Sequence, residues 1–342
     1  MENNYILGID TSNYKTSIAI VDKYGTIALD ERSLLRVKKG ERGLRQSEAL
    51  FQHIENLPIL FEKVKEQQIK ISAVAVSNKP RPVEGSYMPC FKAGYGFGKA
   101  IACSMNVPIF EFSHQEGHLE AIKYFTQFKD SKSFLAWHLS GGTCELLKVN
   151  SIERPDIVSD NQERLLNIDI VGGSKDISFG QVIDRIGVLL GMNFPAGAEM
   201  DLMALKEKEN NIRYIKKLTK IKTEKLYFNL SGIETQCGRT INNLVECGSD
   251  NSEMIRMSMA GELFDKIIEC ITLVTREASK TYGIKDIIFV GGVSSSKYIS
   301  DQLKNTFCKG DINIDFGPQE LSGDNAVGIA LLGGKAYGHK TG

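Results

Sequence analysis

Residues 6–21 read I-L-G-I-D-T-S-N-Y-K-T-S-I-A-I-V. An apolar run meets a small polar turn and continues as a second, β-branched run, which is the pattern of a β-hairpin. Residues 134–149, F-L-A-W-H-L-S-G-G-T-C-E-L-L-K-V, repeat the arrangement, again with Ser and Thr at the tip. Two copies of one opening hairpin predict a duplicated α/β architecture, each copy followed by helices and strands that build a layer on it. A length of 342 residues also suits two domains.

Between and after the hairpins the periodicities alternate. Residues 47–64 carry Leu50, Phe51, Ile54, Leu57, Leu60 and Phe61 at helical spacing, with Pro58 expected to kink or divide the helix. Residues 71–77 and 107–112 read as strands, and residues 91–105 as a buried helix whose small residues permit close packing. In the second half, residues 176–191 and 254–282 read as helices, 287–290 as an apolar strand, and 325–337 as a helix of small residues.

Composition bounds the function classes. Forty-two basic residues balance forty-two acidic ones, which excludes nucleic-acid binding through overall positive charge. The one local excess lies in residues 206–225, with eight Lys/Arg against three Glu. It is either a phosphate-facing patch or a solvated face. The longest apolar runs, such as 71–76 and 326–332, are too short to cross a bilayer, so no membrane association is expected. The opening M-E-N-N-Y carries no signal-peptide pattern, and seven scattered cysteines without a C-x-x-C pair read as reduced thiols, so a cytoplasmic location is expected.

Three groups of residues are candidates for chemistry. The turns Asp10-Thr11-Ser12 and Ser140-Gly141-Gly142-Thr143 expose amides and hydroxyls that can cradle phosphate oxygens, or are ordinary hairpin tips. A third glycine turn, Gly291-Gly292, stands where an apolar strand ends, the usual nucleotide position in α/β folds. There is no G-x-G-x-x-G fingerprint and no G-x-x-x-x-G-K-[ST] loop, which argues against dehydrogenase and P-loop readings. His114 and His118 stand at i, i+4, so a helix starting near Ser113 would put both imidazoles on one face, as a two-histidine metal site requires. Their order is not H-E-x-x-H, so Glu116 is not placed as a metalloprotease base. Asp324, which opens the last helix, is the candidate third ligand or simply an N-cap. Asp184, on the F-G-x-x-x-D segment before the N-F-P-A-G turn that ends at Gly197, is either a hydroxyl-binding carboxylate or a paired surface aspartate.

In order and spacing these motifs resemble the TsaD family, the tRNA threonylcarbamoyladenosine transferase subunit once labelled O-sialoglycoprotein endopeptidase. The resemblance rests on G-I-D-T-S (8–12), H-Q-E-G-H (114–118), L-S-G-G-T (139–143), F-G-Q-V-I-D (179–184) and N-F-P-A-G (193–197). It continues through N-L-S-G-I (229–233), V-G-G-V-S (290–294) and G-D-N-A (323–326). It implies the two-domain α/β fold of actin-like, sugar-kinase and Hsp70-like ATPases, with an N-terminal domain over 1–130, a C-terminal domain over 131–324, and a terminal helix over 325–342 packing back on the first. It implies one divalent iron or zinc held by His114, His118 and Asp324. An AMP-type adenylate or ATP would meet Ser140, Gly141, Gly142 and Thr143, with Asp184 and Gly197 on the ribose or adenine side and Gly291, Gly292 and Ser296 near the nucleotide. Asp10 and Lys15 are the candidate catalytic residues. The implied reaction moves a threonylcarbamoyl group from AMP to an adenosine beside the tRNA anticodon, without a covalent enzyme intermediate. That agrees with the lack of a Ser-His-Asp or Cys-His arrangement and leaves the peptidase label unsupported. The implied partners are tRNA and either TsaB- or TsaE-like accessory proteins or a family paralogue.

The departures from the family pattern cluster. Asn13-Tyr14-Lys15 stands where relatives carry Cys-Asp-Glu, which reverses the charge of the loop and lets a lysine hold a phosphate or carboxylate. The family's G-P-G-L loop is replaced by a proline-rich segment over 79–89, and Ser296 stands where Asn is usual. These changes point to a divergent paralogue whose acyl group or acceptor differs. A non-catalytic scaffold and an ATP-dependent kinase are the readings from other classes, and the intact histidine pair argues against both.

Overall fold

The computed structural model describes residues 4–12, 14–37, 44–152, 157–159, 162–163, 165–211, 217–246, 252–318, 321, 323 and 325–341. In chain order the first elements are β1 (Tyr5–Ser12), β2 (Lys15–Asp22), β3 (Ile27–Leu34), α1 (Gln46–Glu66), β4 (Ile71–Lys79), α2 (Phe91–Met105), β5 (Ile109–Ser113) and α3 (His114–Tyr124). There follow β6 (Ser133–Leu139), β7 (Cys144–Ser151), β8 (Ile157–Ser159), β9 (Gln162–Glu163), β10 (Leu166–Ser174), α4 (Phe179–Leu189) and α5 (Gly197–Asn210). The last are β11 (Thr223–Glu224), β12 (Tyr227–Phe228), α6 (Ser231–Glu246), α7 (Ser252–Tyr282), β13 (Asp286–Val290), α8 (Lys297–Phe307), β14 (Asn313–Phe316) and α9 (Val327–Thr341). No helix among the described residues is long and apolar enough to cross a membrane.

The chain divides into two compact units. One comprises residues 1–132, 150–168 and 317–342, the other 133–149 and 169–316. In the first unit a five-stranded sheet runs in the order β3-β2-β1-β4-β5. β1 pairs antiparallel with β2 from Tyr5↔Asp22 to Ser12↔Lys15, and β4 adds parallel on the other edge of β1. The near-continuous burial of β1, β2 and β4 marks a sheet covered on both faces. α1 and α2 cover one face through Leu57, Leu60, Ala93 and Ala102.

α9 packs on β1, β4 and α3, and glycine makes the approach possible. A Cβ on Gly8 of β1 would lie 2.6 Å from the Ala326 carbonyl and 2.7 Å from the Ala330 amide. Where α9 meets α3, a Cβ on Gly328 would collide with the Gly117 carbonyl, and one on Gly117 would lie 2.7 Å from Ile329 Cδ1. The two backbones therefore touch with no side chain between them, and the first turns of α3 are fixed against α9.

α1 departs from the sequence expectation. It runs unbroken from Gln46 to Glu66 across Pro58. A proline inside a helix costs about 3 kcal/mol through one lost hydrogen bond and ring crowding. Here Pro58 sits on the exposed side while Ala49, His53, Leu57 and Leu60 bury the opposite stripe, and that burial outweighs the break.

The second unit holds a seven-stranded sheet ordered β11-β12-β10-β7-β6-β13-β14. The β6–β7 turn is closed by the Ser140 amide donating to the Thr143 carbonyl at 2.8 Å and the Thr143 amide donating to Ser140 Oγ at 3.0 Å. Its core is one cluster in which Trp137, Phe179, Phe264 and Phe289 are buried, and Trp137 Nε1 donates to Thr275 at 2.8 Å.

The glycine contact yields a paired expectation within one helix. Gly328→Ala should destabilise the protein by about 1–3 kcal/mol, because its methyl meets backbone that cannot turn aside. Gly338→Ala, where a Cβ meets nothing within 4 Å, should stabilise by up to about 1 kcal/mol through helix propensity. Urea titrations of the two variants against the parent should show midpoints moving in opposite directions.

Candidate functional site

In the first unit the candidate site forms where β5 turns directly into α3. Ser113, the last residue of the strand, caps the helix: its Oγ accepts the Glu116 amide at 3.2 Å, and Glu116 Oε2 accepts the Ser113 amide at 2.7 Å. This capping box saturates the first turn and assigns Glu116 to the cap. It also places His114 at the first helical position with His118 one turn later, their rings edge to face at 4.3 Å.

A buried carboxylate sets the direction of His114. Asp10, 0% exposed at the end of β1, meets His114 Nδ1 through Oδ1 at 3.0 Å. The same Oδ1 accepts the Ser77 hydroxyl of β4 at 2.5 Å, and Oδ2 accepts the Ser12 hydroxyl at 2.7 Å. Two strands and a hydroxyl pair thus clamp one carboxylate, and a histidine anchored through Nδ1 is suited to ligation through Nε2. Thr11 continues the strand end by donating to the Cys90 carbonyl and accepting the Gly94 amide, both at 3.0 Å, which fixes the start of α2. The proline-rich segment touches the same place, since the Pro80 carbonyl accepts the Gln115 amide at 3.0 Å.

Lys15 opens β2, and its Nζ lies 2.6 Å from where a Cβ on Gly323 would stand. The lysine therefore abuts the segment preceding Asp324, which itself lies outside the described residues. Among the described residues no group of three His, Cys, Asp or Glu side chains is arranged to hold a metal. The donor set that is described still fits one: two imidazoles one turn apart, the first oriented by a buried carboxylate.

In the second unit the glycine turns are built on one another. The Ser178 hydroxyl, which caps α4, donates to the Gly141 carbonyl at 2.6 Å. A Cβ on Gly180 would stand 2.6 Å from Gly141 Cα, so the Ser140–Thr143 turn rests on the start of α4. Gly291, at φ +97°, presses on the Leu139 carbonyl, which also accepts the Val293 amide at 3.0 Å. Gly141, Gly142, Gly197 and Gly292 all border open space, where a Cβ would meet nothing within 4 Å. The carboxylates named from the sequence act locally. Asp184 Oδ1 accepts the Ala196 amide at 2.8 Å and shapes the turn that ends at Gly197. The Ser296 hydroxyl caps α8 by accepting the Ile299 amide and donates to Asp201.

Residues that the sequence reading passed over do much of the holding. Asp201 gathers the Ser296 hydroxyl and the Lys297 and Tyr298 amides. Asp176 accepts the Ile177, Leu230 and Ser231 amides at 2.7–2.9 Å. Partial burial pushes its carboxyl upward, but these amides outweigh that and hold it well below the usual carboxylate range. A hydroxyl ending an apolar strand was the available signal for Ser77, and the acid two residues before an N-cap serine was the signal for Asp176. Burial pushes the Cys144 and Cys237 thiols up to about 12 and raises Cys270 as well, which removes these three as thiolate nucleophiles. Residues 206–225 are partly neutralised by Lys206–Glu253 at 3.4 Å and Lys220–Glu269 at 2.7 Å, and residues 212–216 of that stretch lie outside the described residues.

Residues 33–331 match the family model TsaD, described as tRNA N6-adenosine threonylcarbamoyltransferase. Curated proteins of that name are similar along almost the whole chain. The one from Thermosipho africanus is 24% identical over 97% of this chain and 94% of its own length. The one from Sulfurihydrogenibium sp. is 27% identical over 98% and 91%. Among solved structures, full-length HypF in its phosphate- and nucleotide-bound form aligns with TM-score 0.58 at 12% identity, over 97% of this chain and 55% of that one. Component A of the Acidaminococcus fermentans (R)-2-hydroxyglutaryl-CoA dehydratase aligns with TM-score 0.51 at 11% identity, over 98% and 99%. The fold they share with this chain is the two-domain α/β fold that the resemblance implied.

The amide cradle around Asp176 has a measurable consequence. A folded pKa below the unfolded value of about 3.9 stabilises the protein above that pH, and the stabilisation is lost as pH falls toward the folded value. Asp176→Asn should therefore melt below the parent by a constant margin from about pH 5 to about pH 8, with the gap closing below about pH 4. Calorimetry across that range checks it, and a margin unchanged at low pH would contradict the assignment.

Proposed function

The chain belongs to the TsaD family, and from that premise we propose that it transfers a threonylcarbamoyl or closely related carbamoyl group from an AMP adduct to an acceptor amine. The first acceptor to test is the adenosine beside the tRNA anticodon. The observation that carries the proposal is the pair of imidazoles at the start of α3 with the first held by buried Asp10. A scaffold has no use for such an arrangement.

In this reading His114 and His118, with Asp324, hold one iron or zinc ion, which supplies Lewis acidity toward a carbonyl or phosphate oxygen. Asp10 acts through His114, fixing its tautomer and direction. Lys15 binds an anionic group of the donor, where relatives carry an acid. The open amides of Ser140, Gly141, Gly142 and Thr143 and of the Gly291-Gly292 turn take nucleotide oxygens, while the turn shaped by Asp184 and ending at Gly197 meets the ribose or adenine side. Chemically the step is acyl transfer: the acceptor nitrogen bonds to the carbamoyl carbon, the bond from that carbon to the AMP oxygen breaks, and the amine proton passes to solvent. Positioning supplies the rate, and no enzyme nucleophile is needed. The partners in this reading are tRNA, held through local rather than overall charge, and either accessory proteins of the TsaB and TsaE kind or a paralogue.

One observation favours a variant of this reading. Of the two departures from the family pattern, Lys15 lies against Gly323, next to Asp324, and the proline-rich segment contacts Gln115 of α3, next to His114. Their placement supports a paralogue with an altered carbamoyl donor or acceptor.

Two measurements test these points. Elemental analysis of purified protein should find close to one iron or zinc per chain, lost in the His114→Ala/His118→Ala protein, with affinity about 10–100-fold weaker in Asp10→Asn. Full metal content in the double variant would refute the ligand assignment. Mass spectrometry of tRNA nucleosides from a deletion strain and its parent should show the threonylcarbamoylated adenosine reduced, and an unchanged profile would move the acceptor away from tRNA.

A further inference from the structure

Beyond the proposed reaction, the first unit contains a cavity of about 230 Å³, lined by Glu120 of α3, Leu332, Lys335 and His339 of α9, and the pairs Ser151-Ile152 and Leu165-Leu166. Its size falls below the roughly 300–1,000 Å³ of pockets for drug-sized ligands, so it suits something the size of one amino acid. Leu165, Leu166 and Leu332 are buried and give it apolar walls.

Glu120 is 1% exposed, and only one of its oxygens is satisfied. Oε1 accepts Lys335 Nζ at 2.6 Å, whereas Oε2 has no partner among the described residues. A buried acceptor left unmet costs about 1–3 kcal/mol, more when charged, so the group calls for a donor from within the cavity. Lys123, one turn on, donates to Ser151 at the cavity wall at 3.3 Å, and its charge also faces Glu120. Lys335 is 43% exposed and uses one of its three N–H donors on Glu120, which leaves donors for an anion, with His339 beside it. A carboxylate and an ammonium side by side above leucine walls complement the ammonium, the carboxylate and the apolar side chain of one molecule.

We propose that this cavity binds a free apolar α-amino acid, its ammonium on Glu120 Oε2, its carboxylate at Lys335 and His339, and its side chain against Leu165, Leu166 and Leu332. The ligand would rest on the helix that carries His114 and His118, at the end away from them.

The test is calorimetric titration and thermal melting of the full chain with L-leucine and L-isoleucine, alongside leucinamide and isocaproate, which each lack one of the two charges. The expected result is a dose-dependent rise in melting temperature with the amino acids. Leucinamide and isocaproate should each bind at least about tenfold weaker, the loss expected for one charge-assisted contact. Glu120→Gln should weaken leucine to a similar degree. The ligand series reads the same contacts on the parent protein, so the test survives a Glu120→Gln variant that fails to fold. No response at about 10 mM amino acid would mean that water alone satisfies Oε2 and would overturn the proposal. Equal binding of all four compounds, or leucine binding unchanged in a folded Glu120→Gln protein, would overturn it as well.

Discussion

The first unit depends on two helices touching backbone to backbone. α3 and α9 meet at Gly117 and Gly328, and α9 meets β1 at Gly8, so closely that none of the three positions has room for a Cβ. Interiors are packed densely enough that such a contact has one geometry and no tolerance for an added methyl. Once α9 is seated, the axis of α3 is fixed, and with it the two histidines in its first turns. The capping box at Ser113 then removes the remaining freedom, since a helix that begins on a saturated turn at a strand end cannot fray by a residue. Histidine placement here is a consequence of the packing of Gly117, between the two histidines, on Gly328.

Electrostatics acts on that frame at short range. Asp10 is wholly buried, and it is tolerated because its oxygens are met by Ser12, Ser77 and His114. In the second unit Asp176, Asp184 and Asp201 take backbone amides at turns and helix starts, using the same chemistry as structural mortar. What distinguishes Asp10 is that one of its partners is a histidine suited to ligation, while the other three hold backbone amides and serine hydroxyls. Zero net charge fits this economy: charge is spent on local geometry, and contact with a polyanion would have to be local too.

Much of this was legible in the sequence. Alternating apolar runs gave both hairpins, and α2 begins at Phe91 and ends at Met105, where apolar and small residues at helical spacing begin and end. The i, i+4 histidines with a preceding serine were read as a helix start, because capping chemistry is local and its residues are adjacent. Pro58 misled, since the burial that carries α1 past it comes from the sheet, not from its neighbours in sequence. Ser77 and Asp201 went unnoticed for the same reason: each acts on a residue more than sixty positions away. Spacing reveals partners one turn apart and is silent on partners one sheet apart.

The order of segments in the first unit bears on how the protein is made. Its sheet and α3 come from the start of the chain, but α9 is encoded near the end, after the whole second unit. On the ribosome, β1 and α3 emerge long before the helix that must lie between them and water. The second unit, built from two segments that end before α9, can complete first, reversing the usual N-to-C order of domain maturation. Until α9 is released, the glycines at positions 8 and 117 present bare backbone to solvent, and a chaperone or a second nascent chain has its best opportunity there.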